Sequence, residues 1–391
     1  MKYEGTEESI EELVLRNVAI VGYGLTEFGK REGSLRDLAA EAGKSTIESL
    51  PNHDRSKIKG FFFTTTDGEP YIAASVAESL GLKPTLSAKV ENLCASGGMG
   101  ITMAFGAIAS GLVDVCMVLG AEKMSHLKIA PPMEWDFTRG GIMPPAVWGA
   151  MYAQKHMKQF GTTEEDLALV SVKNHKYSSM NPFAQFRKPV TVEDVLKSRP
   201  IVSPLKLYDC TAKTDGAAGV ILASEEVARE YTDTPVWIIG TGQSSLGASF
   251  GNVNPEYTTW PAVKNASIDA FKSSKLTPGD IDVAELHDAF TINEIIEYED
   301  VRFIEKGRGG EFIRVGQSEI GGKVAVNTNG GLIGAGHPIG ATGIAQSIEI
   351  SQQLRGECGK RQVNPAEAGF SLNLSASVST ASVIVYSRTK I

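Results

Sequence analysis

The chain has 391 residues, of which 42% are hydrophobic and 21% are charged, and its formal net charge is −8. This length exceeds what one hydrophobic core fills, so we expect at least two domains in an ordinary soluble protein with a mildly acidic surface. Basic residues form no stripe, which argues against nucleic-acid binding. The longest apolar runs fall short of the roughly 18 residues that span a bilayer, so no membrane segment is predicted.

Four cysteines, at positions 94, 116, 210 and 358, show neither CxxC spacing nor pairing with nearby histidines. We therefore predict no disulfide framework and no metal site. The first residues are acidic and polar, whereas a secretory signal needs a basic start followed by an apolar stretch. The predicted location is the reducing cytoplasm.

Short β-rich runs alternate with longer helical runs through the first half of the chain. VAIVGYG, from Val18 to Gly24, predicts a buried strand, and LRDLAAEAGKSTIESL has the apolar spacing of a helix. A second strand, the helix after Cys94 and two further strands follow in turn as GFFFTTT, CASGGMGITMAFGAIAS, VDVCMVLGAEK and AAGVILAS. This order predicts α/β layers around a largely buried sheet.

The second half of the chain repeats this plan. Its successive runs VWIIGTGQSS, AVKNASIDAFKSS, VAELHDAFT, GHPIGATGIAQSIEISQQL and ASVIVYS match the first strand, the first helix, GFFFTTT, the Cys94 helix and AAGVILAS. An internal duplication explains the match most simply. It places Cys94 and His337 at equivalent positions.

A stretch rich in Met, Pro, Trp and Lys separates the two halves. We interpret it as an insertion with its own helices, one of which begins behind a threonine cap in TTEEDLALVSVKNHKY. The predicted domains are a first half of residues 1–123 with 206–233, an inserted lid of residues 124–205, and a second half of residues 234–391.

Three side chains fall in turns between a strand and a helix, namely Cys94, His287 and His337. A helix N-terminus carries about half a positive charge, which predicts a lowered pKa and a thiolate at Cys94. The glycines after Cys94 would let another chain or a ligand approach closely. Catalytic side chains often lie where a strand ends, which makes His287 a third candidate.

Each candidate also has a purely structural interpretation. A lone cysteine before an apolar helix is more often a packing residue than a reactive one, and a lone histidine is likewise more often structural than catalytic. Function is favoured because one cysteine and two of six histidines share glycine-punctuated turns. The other cysteines are assigned to packing or to the surface, Cys210 to packing. Of the remaining histidines, only His126, which follows a strand, is a weak pocket candidate.

The motifs NLCASGGMG, LYDCTAKTDGAAGVIL, ELHDAFT and GAGHPIGATG occur in the order and at the separations seen in the thiolase superfamily. The chain resembles most the sterol-carrier-protein-type thiolases and the archaeal acetyl-CoA C-acetyltransferases, over about residues 16–388. The resemblance implies the thiolase fold, an α/β fold of two pseudo-duplicated βαβαβαββ halves in five αβαβα layers with an inserted loop domain.

The resemblance also implies a two-step reaction. Cys94 attacks the thioester of an acyl-CoA while His337 takes the thiol proton, which leaves an acyl-enzyme and free CoA. A second acyl-CoA then condenses with the acyl group in a Claisen reaction, with His287 and His337 donating hydrogen bonds to the enolate oxygen, and thiolysis is the reverse. The substrates are coenzyme A thioesters, acetoacetyl-CoA being the favoured 3-oxoacyl-CoA, and no permanently bound cofactor is implied.

The sequence departs from the family where a second catalytic cysteine is expected. Ala289 occupies that place in HDAF, and SLNLSASVSTAS has serines near the C-terminus where other thiolases have a cysteine and glycines. Ser375, Ser377 and Gly336 are therefore candidates for the second step and its oxyanion hole. Because a serine hydroxyl is too weakly acidic to replace a thiol simply, proton transfer falls to His337, to His287 or to no side chain.

Three functions stay open. The first is a thiolase of lipid metabolism, such as the mevalonate pathway; the second loads an acyl group on Cys94 but passes it to a non-CoA acceptor or works only in a complex. The third is a non-catalytic scaffold subunit that binds CoA esters. The resemblance suggests a homodimer or tetramer and, as partners, a zinc-ribbon/OB-fold scaffold protein and a hydroxymethylglutaryl-CoA synthase. Met133 and Trp148 are weak candidates for the acyl and pantetheine tunnel, although such residues are more often plain core.

Overall fold

The computed structural model describes residues 15–51, 53–127, 145–247, 255–375 and 378–390. Within these ranges, strands β1 to β12 span Val18–Leu25, Gly60–Thr64, Leu86–Val90, Val115–Glu122, Pro200–Val202, Leu205–Lys206, Gly216–Ser224, Val236–Ser245, Val283–Glu285, Ala325–Val326, Ala368–Ser375 and Thr380–Ser387. Helices α1 to α12 span Leu35–Glu48, Ile72–Ser79, Ser96–Ala109, Pro145–Phe160, Glu164–Ser178, Val192–Lys197, Glu225–Tyr231, Pro261–Ser274, Thr291–Asp300, Gly309–Arg314, Gly331–Gly334 and Ile339–Arg355.

Ten of these strands form one sheet in the order β10-β9-β11-β12-β8-β1-β7-β4-β2-β3. The two halves join where β1 and β8 pair antiparallel, from Val18 opposite Ile238 to Ile20 opposite Val236. Outward from that junction, the strands follow as β1-β7-β4-β2-β3 in the first half and as β8-β12-β11-β9-β10 in the second, and the two orders correspond. We call these two groups of five strands the first and second half-sheets. The strand order therefore confirms the predicted duplication.

The secondary structure forms five layers with three apolar cores between them, and the middle core lies on both faces of the central helical layer. Helices α1 and α2 cover one face of the first half-sheet, and α8 and α9 cover one face of the second. Helices α3 and α12 lie between the two half-sheets, where Ile101 and Ile344 pack with Ile20 and Ile384. Strand β4 is buried along its whole length, as expected of a strand covered on both faces. The structure has the predicted αβαβα arrangement.

The central helices α3 and α12 cross closely because glycines line their contact. A Cβ atom on Gly97 would lie 2.8 Å from the backbone nitrogen of Gly343, and one on Gly343 would lie 2.5 Å from that of Gly98. No side chain fits at such distances. The element that approaches these glycines is therefore the equivalent helix of the same chain, and not a ligand or a second chain as the glycine pattern suggested.

Helices α4 to α6 lie between β4 and β7 in the sequence and belong to the predicted insertion. Helix α5 begins at a capping box in which Thr163 and Asp166 each bond the backbone N–H of the other. The three domain boundaries stay a prediction. Among the described helices, none has both the length and the apolar character that crossing a membrane requires.

Candidate active site

A cavity of about 580 Å³ lies between the two halves and the inserted helices. Cys94, His287 and His337 all line it, so the fold brings together the three side chains singled out from the sequence. Most of the remaining wall is apolar or aromatic and includes Leu93, Met124, Trp148, Tyr152, Phe186, Tyr208, Phe290, Ile333, Ile339, Leu374 and Val378. An apolar wall with a few converging polar groups is typical of a site that binds a small organic ligand.

The three polar side chains are close enough to act on one substrate atom. The Sγ atom of Cys94 and one ring nitrogen each from His287 and His337 all lie within 4.8 Å of one another. The two imidazole rings meet edge to face at an angle of 85°, with their centroids 5.1 Å apart. One thiol and two imidazoles can perform nucleophilic and acid–base chemistry, and they are also a donor set that metal ions accept.

The backbone just before Cys94 is strained. Leu93 has a φ of +46°, in the left-handed region that a branched side chain rarely adopts, and it begins a single 3₁₀ turn leading into α3. Its N–H donates to Glu91 Oε1 at 2.7 Å, and its carbonyl accepts from Ser96 Oγ at 2.6 Å. Strain of this kind costs about 1–3 kcal/mol and occurs most often at functional turns. Local hydrogen bonds therefore fix the direction in which Cys94 points.

The thiol of Cys94 is protonated at neutral pH. Its burial raises the pKa to about 12, and the negative charge of Glu122 acts in the same direction. Glu122 is itself buried and accepts hydrogen bonds from the N–H groups of Thr66 and Gly340, at 3.1 and 2.9 Å. The predicted lowering of the Cys94 pKa is therefore wrong, because desolvation outweighs the partial charge of the helix end.

His337 is held as a neutral base. Its Nδ1 lies 2.8 Å from Thr342 Oγ1, and that hydroxyl donates its one proton to the Pro338 carbonyl oxygen at 3.0 Å. The hydrogen-bond network therefore assigns the proton to Nδ1 and leaves Nε2 as the basic nitrogen. Burial lowers the pKa of His337 to about 3. The His337 N–H donates to Thr214 Oγ1 at 2.9 Å, which fixes the backbone directly before α12.

His287 is neutral as well, and its backbone is fixed by a buried carboxylate. Burial and the neighbouring His337 hold the pKa of His287 well below its usual value. The His287 N–H donates to Glu297 Oε2 at 2.8 Å. Among the described residues, Nδ1 of His287 has no hydrogen-bond partner. This ring nitrogen is an exception to the rule that buried polar atoms are hydrogen-bonded within the protein.

Asp288 connects the turns that carry the two histidines. Its carboxylate accepts the N–H of Leu332, at the start of the segment leading to His337, at 2.7 Å, and Nδ2 of Asn174, on α5, also at 2.7 Å. The insertion thus helps to set the spacing between His287 and His337. Sequence reasoning missed Asn174, because nothing in the spacing of KNHKY indicates which way its amide points.

The weak cavity candidates have different outcomes. Trp148 is buried and lines the cavity. His126 is exposed, and the structure does not place it in the cavity wall. Met133 lies outside the described residues.

Of the candidates for the second step, the two that the structure describes, Gly336 and Ser375, do not supply a free donor. The Gly336 N–H donates to the Leu332 carbonyl oxygen at 3.2 Å, so it is not available to an oxyanion. Ser375 is buried outside the cavity wall, and its hydroxyl lies 3.4 Å from Asn92 Oδ1. Ser377 lies outside the described residues.

At the places where a second thiol was sought, the described cavity wall is apolar. Ala289 lines the wall in the HDAF turn, and Leu374 and Val378 line it within the serine-rich segment SLNLSASVSTAS. Carbon side chains at these positions cannot transfer a proton. The described residues at these three positions therefore supply no acid or base for a second step.

Two further side chains line the cavity that the sequence did not predict to be there. Cys210 packs against the apolar core of the second half, as predicted, and it also lines the cavity and pairs through its backbone with Phe290. His175 also lines the cavity, between the rings of Phe186 and Tyr208, and it donates from Nδ1 to the Ser171 carbonyl oxygen at 2.9 Å. Each lies in a segment without glycine punctuation, so its position becomes evident only from the fold.

Comparison with known proteins identifies relatives along nearly the whole chain. The family model of the thiolase N-terminal domain matches residues 18–226, and that of the thiolase C-terminal domain-like family matches residues 250–388. An acetyl-CoA acetyltransferase of Methanothermobacter thermautotrophicus is 42% identical and covers 96% of this chain and 100% of the relative.

Two further similarities extend this finding. Sterol carrier protein 2 of Bos taurus is 35% identical, over 92% of this chain and 70% of that protein. The solved structure of an Ltp2-ChsH2(DUF35) aldolase superposes with a TM-score of 0.86 at 29% identity, over 96% of this chain and 99% of that one.

Proposed function

The chain belongs to the thiolase family and is a thiolase-type acyltransferase; on this premise we propose that it carries the acyl group of an acyl-CoA on Cys94 and makes or cleaves acetoacetyl-CoA. The observation that supports this proposal is the meeting of one thiol and two neutral imidazoles, with donor atoms within 4.8 Å, in a largely apolar cavity. The relative with 42% identity is an acetyl-CoA acetyltransferase, which favours an acetyl group.

In the first step, Cys94 and His337 start as a neutral pair. As Sγ attacks the thioester carbonyl carbon, Nε2 of His337 takes the thiol proton, so the sulfur becomes nucleophilic only at the moment of reaction. Collapse of the tetrahedral intermediate breaks the bond to the CoA sulfur, and His337 returns the proton to that leaving thiolate. The products are an acetylated Cys94, free CoA and a neutral His337.

In the second step, the same histidine removes a proton from the α-carbon of another acetyl-CoA. Nε2 of His337 then carries a proton, which it donates as a hydrogen bond to the enolate oxygen, and His287 provides a second donor from its ring N–H. The enolate carbon attacks the acetyl carbon on Cys94, the bond from that carbon to Sγ breaks, and the leaving thiolate takes the proton from Nε2 of His337. The products are acetoacetyl-CoA, a free Cys94 thiol and a neutral His337. The neutral resting state of both histidines fits these roles, since neither has to lose a proton first.

A second candidate function has its own support. The cavity wall is apolar at Ala289, Leu374 and Val378, where another catalytic group was sought, and the similar aldolase structure contains a DUF35 component. The alternative is that Cys94 is loaded but the acyl group passes to a non-CoA acceptor, or only within a complex. We also propose that the protein is a homodimer or tetramer, that its partners are a zinc-ribbon/OB-fold scaffold and a hydroxymethylglutaryl-CoA synthase, and that it acts in the cytoplasm in the mevalonate pathway.

Thiolysis of acetoacetyl-CoA by free CoA distinguishes the two candidates. We expect acetyl-CoA to form with the wild-type protein and with Cys358→Ala, which removes a buried thiol outside the cavity. Cys94→Ala should form none. If the wild-type protein takes up an acetyl label on Cys94 yet releases no acetyl-CoA from acetoacetyl-CoA, the alternative is correct and the thiolase reaction is not.

A further inference from the structure

The donor atoms of Cys94, His287 and His337 match the ligand set of a zinc site. Zinc binds thiolate sulfur at about 2.3 Å and imidazole nitrogen at about 2.0–2.1 Å in tetrahedral geometry, which places neighbouring donors roughly 3.5 Å apart. The three donors already lie within 4.8 Å of one another. Side-chain movements that shorten these separations by at most about 1.3 Å would bring the three donors to the spacing of zinc ligands, and the cavity that they line has room for a fourth ligand.

The ring nitrogens of the two histidines differ in their hydrogen bonds. His287 is 3% exposed, and within the described part of the chain its Nδ1 has no hydrogen-bond partner. The ring of His337 is already oriented as a metal ligand would be, since Thr342 holds one ring nitrogen and leaves the other toward the cavity.

We propose that these three side chains bind one soft divalent cation such as Zn²⁺, with water as the fourth ligand. On binding, the S–H bond of Cys94 breaks, a metal–sulfur bond forms and the proton passes to solvent, with no change of oxidation state. The cation and an acyl group exclude each other because both require the Cys94 sulfur. A bound cation would therefore block acyl loading, an effect that rests on the proposed role of Cys94, and it has no part in the acyl transfer itself.

Titration of the metal-free protein with Co²⁺, a spectroscopic substitute for Zn²⁺, tests the proposal without measuring activity. We expect one equivalent to bind with a thiolate-to-cobalt charge-transfer band. Cys94→Ala should abolish the band, and His287→Ala and His337→Ala should each weaken binding by about 10- to 100-fold. Cys210→Ala, which removes the other thiol of the cavity wall, should leave the band unchanged.

Alkylation of Cys94 in the wild-type protein with iodoacetamide provides a second measurement that does not depend on the folding of a variant. The alkylated protein should give no band, and bound Zn²⁺ should protect Cys94 from alkylation. Absence of the band from the untreated protein, or a band that survives in Cys94→Ala or disappears only in Cys210→Ala, would overturn the proposal.

Discussion

The two halves have the same strand order but support their catalytic turns in different ways. In the first half, the Cys94 turn is held by bonds to its immediate neighbours, Glu91 and Ser96. In the second half, the His287 and His337 turns rest on buried polar side chains that include Glu285, Asp288, Glu294, Glu297, Asn327 and, from the insertion, Lys173 and Asn174.

This difference follows from what each turn has to hold. A nucleophile needs one direction, which a short strained turn provides. A pair of histidines needs a fixed separation, and this requires groups that contact both turns, as the Asp288 carboxylate does. The two halves of a duplicated fold can therefore position their catalytic groups differently. Local backbone geometry positions the nucleophile, and hydrogen bonds between distant segments, including the insertion, position the two histidines.

The largest expected effect separates the two histidines. His337→Ala should lower the rate of Cys94 acetylation by about 10²- to 10⁴-fold, because it removes the base for the thiol proton. His287→Ala should leave acetylation near the wild-type rate and lower acetoacetyl-CoA thiolysis by about 10²- to 10³-fold, as loss of an enolate donor does. Rapid-quench measurement of each step checks this, with His126→Ala, an exposed histidine outside the cavity wall, as the control. Equal losses in both steps for both variants would show that the roles are not divided.

The protonated resting state of the Cys94 thiol should be visible in how its rate of alkylation depends on pH. Since the pKa of Cys94 is raised to about 12, the thiolate fraction should rise about tenfold per pH unit between pH 7 and 9. The rate of alkylation of Cys94 by iodoacetamide, followed by peptide mass spectrometry, should rise in parallel without a plateau. A rate that is level across this range would instead indicate a preformed thiolate–imidazolium pair with His337.

Removing the link from the insertion tests the network of the second half. Asn174→Ala leaves the buried Asp288 and Glu294 carboxylates each without one hydrogen-bond donor. We expect the free energy of unfolding, measured in urea, to fall by about 1–3 kcal/mol. Asn265→Ala, at an exposed position on α8, is the matched control and should change it little. Equal stability of the two variants would contradict a structural role for the Asn174 amide.

A further expected effect of the network in the second half is on the pH dependence of stability. Burial and the neighbouring Glu294 raise the pKa of Asp288 to about 7, so the folded protein holds a proton there that the unfolded chain releases near pH 4. Relative to Asp288→Asn, wild-type stability should therefore fall as the pH rises from about 4 to about 7, and level off above that. Urea unfolding at several pH values measures this difference. A constant difference across the range would show that Asp288 is ionised throughout.

The sequence predicted the parts of this molecule that depend on local pattern and repetition. Strand and helix runs, the duplication and the convergence of Cys94 with His337 follow from periodicity and from matching positions in the two halves. Other features depend on contacts between distant segments. The left-handed backbone at Leu93, the position of Cys210 opposite Phe290 and the bond from Asn174 to Asp288 leave no local mark in the sequence.

The error about the Cys94 pKa has the same origin. A helix N-terminus can be inferred from glycine spacing and capping residues, and its effect on a thiol is then predictable. The depth of burial and the approach of Glu122 depend on how the two half-sheets pack around the central helices, and these reverse the direction of the shift.

Incubation with acetyl-CoA, followed by mass measurement of the intact protein and of its peptides, tests the central claim most directly. We predict one added acetyl group, located on Cys94, present in the wild-type protein and in Cys358→Ala and absent from Cys94→Ala. No adduct, or an adduct that persists in Cys94→Ala, would contradict the assignment of Cys94 as the acyl-carrying nucleophile.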